Sequence, residues 1–252
     1  IHYDETVSFD NFIKSKNNHW SDYIKGCISV IKTYNNLPDD SFNILINSNI
    51  PQNRGISSSS ALCVSMLKAL NKMYALKINN ENIAKLARRV ERDYINVKGG
   101  IMDQMISSVG IFGKAFFLDC RTLKFELIKI PKNYIFCLVD SKIQRNLRES
   151  SYNKRYKELK EAEKIFKIKF LADATMEDLS KVIFNDLKIK KRAKHVISEN
   201  DRVLKAKNAL KNGEMQYFGK LMNESHESYD LNFEASNDDV NTIVKNSLNS
   251  GA

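Results

Sequence analysis

Glycine and proline are scarce in this chain, which contains 9 Gly and 3 Pro among 252 residues. Linkers and low-complexity segments are rich in such residues, so their scarcity argues against segments of that kind, and no internal repeat is visible. No apolar run approaches the ~20 residues that a membrane-spanning helix requires, so we expect no membrane partner. With 42% hydrophobic residues, the chain is expected to form one large domain or two smaller ones with packed cores.

Cysteine and histidine are also few, with 4 of each, and their spacing matches no metal or catalytic pattern. The cysteines are widely separated and form no Cys-x-x-Cys pair: Cys27, Cys63, Cys120 and Cys137. We therefore expect buried, reduced thiols and a cytoplasmic protein. The histidines lie in no metal-ligand spacing. Because a Gly-x-Ser-x-Gly elbow and a Gly-x-Gly-x-x-Gly turn are both absent, serine hydrolases and dinucleotide-dependent enzymes are disfavoured.

The charge balance is basic, because 40 Lys and Arg residues exceed 30 Asp and Glu residues to give a net charge of +10. A nucleic-acid-binding module is therefore one possible function. Acids are interleaved with most of the lysines, as in residues 154–169, and only residues 188–194 form a dense basic patch. No aromatic residues accompany that patch for base stacking. A solvated helix face explains it better, and we expect no nucleic-acid partner.

Strand and helix patterns are mixed in the first half of the chain, whereas helical patterns dominate the second. Helical periodicity is found in Trp20–Tyr34, Leu62–Tyr74 and Asn80–Arg92. Strands are predicted at Phe42–Ile50, Ala115–Asp119, Phe125–Ile130 and Tyr134–Val139. Further helices are predicted near residues 151–167, 175–183, 188–211, 213–228 and 237–249. This layout is α+β, with a seam at Pro131 between domains of residues 1–131 and 132–252.

A run of serines lies between a predicted strand and a predicted helix, in the segment Pro51-Gln-Asn-Arg-Gly-Ile-Ser-Ser-Ser-Ser-Ala61. Gly55 permits a tight turn, and small residues let backbone N–H groups converge at the positive end of a helix. Such an end favours phosphate. The segment is not a Walker A loop, because no Gly-Lys-Ser/Thr follows the glycine. The alternative is an ordinary serine-capped helix.

A second motif contains paired glycines followed by an acid, in Lys98-Gly-Gly-Ile-Met-Asp-Gln104. Asp103 is a candidate to accept a proton or to orient a hydroxyl group, and the alternative is a helix-capping aspartate. Glu91 is placed to face the same cleft, and the alternative is an exposed charge beside neighbouring arginines. Together the motifs suggest phosphoryl transfer, with Glu91 and either Ser58 or Ser59 holding Mg²⁺.

These motifs resemble those of the GHMP small-molecule kinases, and of the galactokinase family in particular. The serine segment alone indicates only the superfamily, whereas the longer block that begins at Gly99 narrows the resemblance to the galactokinase family and its close relatives. The similar blocks run in order along nearly the whole chain: Gly99–Gly110, Phe117–Leu123, Gln144–Arg155, His195–Arg202 and Gly219–His226. The resemblance implies an N-terminal domain like the second domain of ribosomal protein S5, joined to a ferredoxin-like C-terminal domain.

The resemblance also implies ATP-dependent, magnesium-assisted phosphorylation of the anomeric hydroxyl of α-D-galactose by a protein that we expect to be a monomer. Asp103 matches the catalytic aspartate beside the sugar, and Gly100 and Tyr152 match sugar contacts. Ser59 and Glu91 match magnesium ligands. The matches to the phosphate loop are Gly55, Ser57, Ser58, Ser59 and Ser60.

Departures from the family pattern leave related activities open. Ser60 replaces a residue that is usually Ala, and the printed sequence contains neither the N-terminal signature with its catalytic arginine nor the third, glycine-rich motif. We therefore expect a partial chain, truncated at both ends, that is inactive in isolation. The alternatives are a related kinase acting on N-acetylgalactosamine or arabinose, and a galactose sensor that binds ATP and sugar without transferring phosphate.

Overall fold

The computed structural model describes residues 19–34, 42–52, 54–142 and 148–251, with the backbone alone for residues 148–152. Within these ranges the chain divides into two compact units: residues up to 112 with 118–125, and residues 113–117, 126–142 and 148–251. The change between units falls in a hairpin that precedes Pro131, and the domain boundary at residues 131 and 132 stays a prediction. No helix in the described ranges has both the length and the apolar character needed to cross a membrane.

Helices of the first unit enclose one buried core. They are α1 (Ser21–Tyr34), α2 (Ser58–Met73), α3 (Asn80–Arg89) and α4 (Met102–Val109), with a single π-helical turn at Val90–Tyr94 directly after α3. Asn79 caps α3 by accepting a hydrogen bond from the Asn82 backbone at 2.8 Å. Apolar side chains spaced three and four residues apart point inward from these helices, and Ile31, Leu67 and Ile83 are fully buried. The helices predicted in this region are confirmed.

Helices also build most of the second unit. They are α5 (Arg148–Phe166), α6 (Met176–Lys181), α7 (Leu187–Asn212), α8 (Met215–Leu231) and α9 (Asp238–Asn249), with a 3₁₀ turn at Leu171–Asp173. A capping box formed by Thr175 and Asp178 begins α6. Gly213, with φ of 75°, ends α7 in the left-handed conformation common after helices. All five helices predicted for this region are confirmed.

A hairpin joins β1 (Lys114–Leu118) to β2 (Phe125–Lys129). The Asp119 amide donates to the Lys124 carbonyl at 2.9 Å, and the Ile130 amide donates to the Gly113 carbonyl at 3.0 Å. Paired residue numbers therefore rise along one strand as they fall along the other, which defines an antiparallel register. The two strand predictions for this region are confirmed.

Two other strand predictions are wrong. Phe42–Ile50 and Tyr134–Val139 form no strand and are largely exposed, with Leu45 and Ile135 among the most exposed apolar side chains. Their patterns satisfy local strand preferences, but a strand also needs a hydrogen-bonded neighbour. Within the described part of the chain neither segment has one, because the single sheet there consists of β1 and β2.

The cysteine and charge predictions are each partly wrong. Cys27 and Cys63 are buried free thiols as expected, but Cys120 and Cys137 are exposed. The Cys27 thiol lies 3.6 Å from the Cys63 carbonyl oxygen, and hydrogen bonding between the two thiols raises the pKa of Cys63. In the dense basic patch, Arg192 is not solvated: it is 1% exposed and is ion-paired with Glu158 at 3.0 Å.

Candidate active site

The serine run opens α2 with its first backbone donors uncapped. Gly55 and Ser57 have φ of 80° and 59°, a left-handed conformation that is uncommon for serine. Ser57 is the N-cap, but its side chain makes no capping hydrogen bond. Its carbonyl accepts from the Ala61 amide at 3.0 Å, so the N–H groups of residues 58–60 have no partner within the helix. The capping interpretation of the serine run is therefore wrong, and this helix end suits an anion.

Glu91 lies on the π-helical turn and faces the serine run. Its Oε1 atom accepts hydrogen bonds from the hydroxyls of Ser59 at 3.1 Å and Ser60 at 2.9 Å. The alternative interpretation of Glu91, an exposed charge beside arginines, is therefore wrong. A π-helical turn is rare and often occurs at functional sites. Here it places the carboxylate against the first turn of α2, more than 30 residues earlier in the chain.

The surroundings of Glu91 disfavour its negative charge. Burial raises the pKa of this carboxyl, and the nearby charge of Asp103 raises it further. Hydrogen bonds from Ser60, Ser59 and Gln104 act in the opposite direction without cancelling the rise in pKa. A partly buried carboxylate of this kind is stabilised by a cation placed beside it.

Asp103 is the second residue of α4 rather than its cap. The N-cap position belongs to Ile101, which has no side-chain capping bond, so the capping interpretation of Asp103 is wrong. The half-buried Asp103 follows Gly99 and Gly100. A Cβ atom added at either glycine would lie more than 4 Å from any other residue's atoms outside its immediate neighbours. Packing within the protein therefore does not require glycine at these two positions.

Gln104 joins the two motifs. Its Nε2 atom donates to Glu91 Oε2 at 2.6 Å and to Ser60 Oγ at 3.1 Å. Asp103 is the preceding residue, with its Cα about 3.8 Å from that of Gln104. The N-terminus of α4 therefore meets the N-terminus of α2 within the first unit. Sequence reasoning missed Gln104, although its position directly after Asp103 was a signal for it.

The remaining predicted sugar contact belongs to the second unit. Tyr152 belongs to α5 in the second unit, and its side chain is outside the described residues. Its role stays a prediction. The other predicted site residues all belong to the first unit, and the bonds described above connect Ser59, Ser60 and Glu91 directly.

Comparison with known proteins gives consistent matches. Residues 22–111 match the family described as "GHMP kinases N terminal domain". A galactokinase of Thermotoga petrophila is 37% identical over 243 residues, which cover 95% of this chain and 67% of that protein. A galactokinase of Lactobacillus helveticus is 32% identical over 253 residues, covering 96% of this chain and 65% of the relative.

A solved structure gives the same result. The crystal structure of Lactococcus lactis galactokinase complexed with galactose matches with a TM-score of 0.86 at 31% sequence identity. The match covers 93% of this chain and 62% of that one. The chain therefore spans about two thirds of the length of the proteins that it resembles.

Proposed function

Because this chain belongs to the galactokinase family and has the GHMP kinase fold predicted from its motifs, we propose that the protein transfers the γ-phosphoryl group of ATP to the anomeric hydroxyl of galactose. The chain spans 62–67% of the length of three of its matched relatives. The activity of the whole protein is therefore proposed from the family and from the site in the first unit.

One observation supports this proposal most strongly. The hydrogen bonds of Glu91 to Ser59 and Ser60, and of Gln104 to Glu91, bring an anion-binding helix end beside the helix that carries Asp103. A kinase needs a phosphate site and an acceptor site in this kind of proximity, because phosphoryl transfer depends mainly on positioning and electrostatics. A helix end and a carboxylate that lay far apart in the fold would not support phosphoryl transfer.

The residues present fit a magnesium ion. Mg²⁺ prefers oxygen ligands in octahedral geometry at 2.0–2.1 Å, which places neighbouring ligands roughly 3.0 Å apart. Ser59 Oγ and Glu91 Oε1 are separated by 3.1 Å, so the two atoms can become adjacent ligands with little movement once the hydroxyl proton turns away. When bound, the ion would neutralise charge on the phosphate oxygens.

In this proposal each residue of the site has one task in the reaction. Backbone N–H groups of residues 58–60 bind phosphate oxygens at the positive end of α2. The Asp103 carboxylate orients the anomeric hydroxyl and accepts its proton as the hydroxyl oxygen attacks. Gly100 lets the backbone approach the sugar closely, and Tyr152 contacts the sugar. Glu91 and Ser59 would hold the ion.

The proposal also covers partners and location. The substrates are small molecules, and we propose a cytoplasmic monomer without a nucleic-acid partner. Free thiols are the usual state in a reducing compartment. Several lysines are neutralised by acids on the surface, including Lys181 with Glu177 and Lys207 with Glu126. Such pairing reduces the positive potential that a nucleic acid would require.

The proposal is tested with the protein expressed from its complete coding sequence. We expect galactose-dependent ADP release and a galactose 1-phosphate product detectable by phosphorus NMR. Faster turnover of N-acetylgalactosamine or arabinose would assign a related sugar kinase instead. Binding of ATP and galactose without ADP release would identify a sensor.

Replacing Asp103 by Asn tests the catalytic role directly. The change keeps the shape of the side chain but removes its basicity, so we expect kcat to fall by about 10²-fold or more while ATP binding is retained. The matched control is Asp93→Asn, because Asp93 is exposed and pairs with Arg89 at 3.8 Å. Equal kcat values for the wild-type and Asp103→Asn proteins would contradict the assignment.

A further inference from the structure

We propose that Gln104 and Ser60 are positioning residues that hold the Glu91 carboxylate in the orientation that binds the metal–nucleotide complex. The inference rests on the proposed function of this site. It assigns no direct contact with substrate to either side chain. It concerns the two hydrogen bonds that Gln104 donates and the one that Ser60 donates to Glu91.

Gln104 holds the Glu91 oxygen that the serines do not contact. The Gln104 Nε2 atom lies 2.6 Å from Glu91 Oε2, whereas both serine hydroxyls donate to Oε1. Each carboxylate oxygen therefore has a donor of its own, which fixes rotation about the last bond of the Glu91 side chain. Gln104 is 2% exposed, so water competes little for this bond.

The amide orientation of Gln104 follows from the same contacts. Turning the amide over would place Oε1 against Glu91 Oε2, and two acceptors would face each other. With Nε2 facing Glu91, the Gln104 Oε1 atom is buried without a hydrogen-bond partner among the described residues. Leaving a buried acceptor unpaired is costly, so an arrangement that serves only stability would be expected to avoid it.

Ser60 differs from Ser59 in a way that separates their tasks. Ser60 is 1% exposed, and its hydroxyl both donates to Glu91 at 2.9 Å and accepts from Gln104 at 3.1 Å. The Ser60 hydroxyl therefore uses its hydrogen and one of its lone pairs in bonds within the protein. Within the described part of the chain, the Ser59 hydroxyl has Glu91 as its only hydrogen-bond partner, so this hydroxyl is the one that can turn toward a cation.

This network also connects the metal ligand to the catalytic helix. Gln104 is the next residue after Asp103 in α4, so the bond to Glu91 fixes the start of that helix relative to the π-helical turn. Outer hydrogen-bonding partners of metal ligands commonly change metal affinity or activity by roughly 10–100-fold when they are replaced. We expect an effect of that kind at Gln104.

The test measures Mn²⁺-dependent binding of a non-hydrolysable ATP analogue to the protein expressed from its complete coding sequence. Gln104→Met keeps the length of the side chain but removes the donor. We expect it to weaken the Mn²⁺–nucleotide complex by roughly tenfold, with galactose affinity and the thermal unfolding midpoint close to wild type. Ser60→Ala should weaken it less, and the double variant should lose less than the product of the single effects.

Matched controls separate positioning from general damage. Gln216→Met changes an exposed glutamine on α8, and Ser65→Ala changes an exposed serine on α2. Both should bind the metal–nucleotide complex like the wild type. Parallel losses of galactose affinity, nucleotide affinity and thermal stability in Gln104→Met would show a merely structural role and overturn the inference.

Failure of the inference is distinguishable from failure of the proposed function. If the wild type phosphorylates galactose but Gln104→Met binds Mn²⁺–nucleotide normally, the positioning role is refuted and the kinase assignment stands. If no sugar is phosphorylated but Gln104→Met weakens Mn²⁺–nucleotide binding as expected, the positioning role stands and the assignment fails. Absence of Mn²⁺-dependent nucleotide binding by the wild type would overturn the inference.

Discussion

Glu91 shows how far one residue's chemistry depends on distant parts of the chain. Its hydrogen-bond donors are Ser59 and Ser60, earlier in the chain, and Gln104, which lies 13 residues later. Burial and the nearby Asp103 charge raise the pKa of this carboxyl, whereas the three donors oppose that rise by stabilising the charged form. The environment that makes Glu91 a candidate metal ligand is therefore a property of the folded unit.

His195 gives a prediction at the same scale. Its ring lies 4.7 Å from the Phe233 ring, measured between centroids, and its Nδ1 atom is 3.0 Å from the Ser228 hydroxyl. Burial lowers the pKa of His195, and the charges of Arg202 and Arg192 lower it further, although Glu199 opposes them.

We expect stability to fall on acidification because of this histidine. The folded-state pKa lies below the unfolded value of about 6.5, so the unfolded state takes up the proton first. The contribution of His195 is therefore fully present above that value and is lost as pH falls toward the lowered pKa. Urea unfolding of wild type and His195→Gln at several pH values checks this. The stability gap between them should narrow at acid pH, and a constant gap would contradict it.

Among the secondary-structure elements, the π-helical turn positions the site through close packing against α1. A Cβ atom at Gly26 would lie 2.7 Å from Val90 Cγ1 and 3.0 Å from the Tyr94 ring. Val90 is fully buried and directly precedes Glu91. Glycine in α1 thus allows the approach that places the carboxylate.

Gly26→Ala should therefore destabilise the first unit. Inserting a methyl group into a packed interior commonly costs about 1–3 kcal/mol, and a shifted turn would also weaken metal–nucleotide binding. Gly219→Ala is the matched control, because a Cβ atom there meets nothing within 4 Å. In helix α8 it should stabilise by roughly 0.5–1 kcal/mol. Equal unfolding free energies for the two variants would contradict the packing argument.

Sequence patterns predicted the elements whose hydrogen-bond partners lie nearby in the chain. Helices such as α3 and α7 carry caps and periodic apolar residues, and the β1–β2 hairpin pairs with its own neighbour in the chain. Phe42–Ile50 and Tyr134–Val139 were wrongly predicted as strands because a strand depends on a partner that its own sequence does not specify. The π-helical turn was missed because its hydrogen-bond shift has no periodic signature.

At the scale of the whole molecule, the order of the motifs along the chain indicated the family more specifically than any single motif did. The serine segment and the Gly-Gly-Ile-Met-Asp-Gln block each left an ordinary capping interpretation open. The family resemblance assigned both segments to one active site. The resemblance itself is confirmed by the relatives at 32–37% identity. The hydrogen-bond network around Gln104 could not be predicted, because it depends on how α2, α4 and the π-helical turn pack.

The central claim is that one site holds both substrates, with a metal ion at Ser59 and Glu91 and the sugar at Asp103. The most direct test is paramagnetic relaxation by Mn²⁺. The complete protein is saturated with Mn²⁺, a non-hydrolysable ATP analogue and galactose labelled with ¹³C at the anomeric carbon. We predict strong relaxation of that carbon, which the diamagnetic Mg²⁺ complex does not show. Bound galactose whose anomeric carbon relaxes equally with either ion would contradict a shared site.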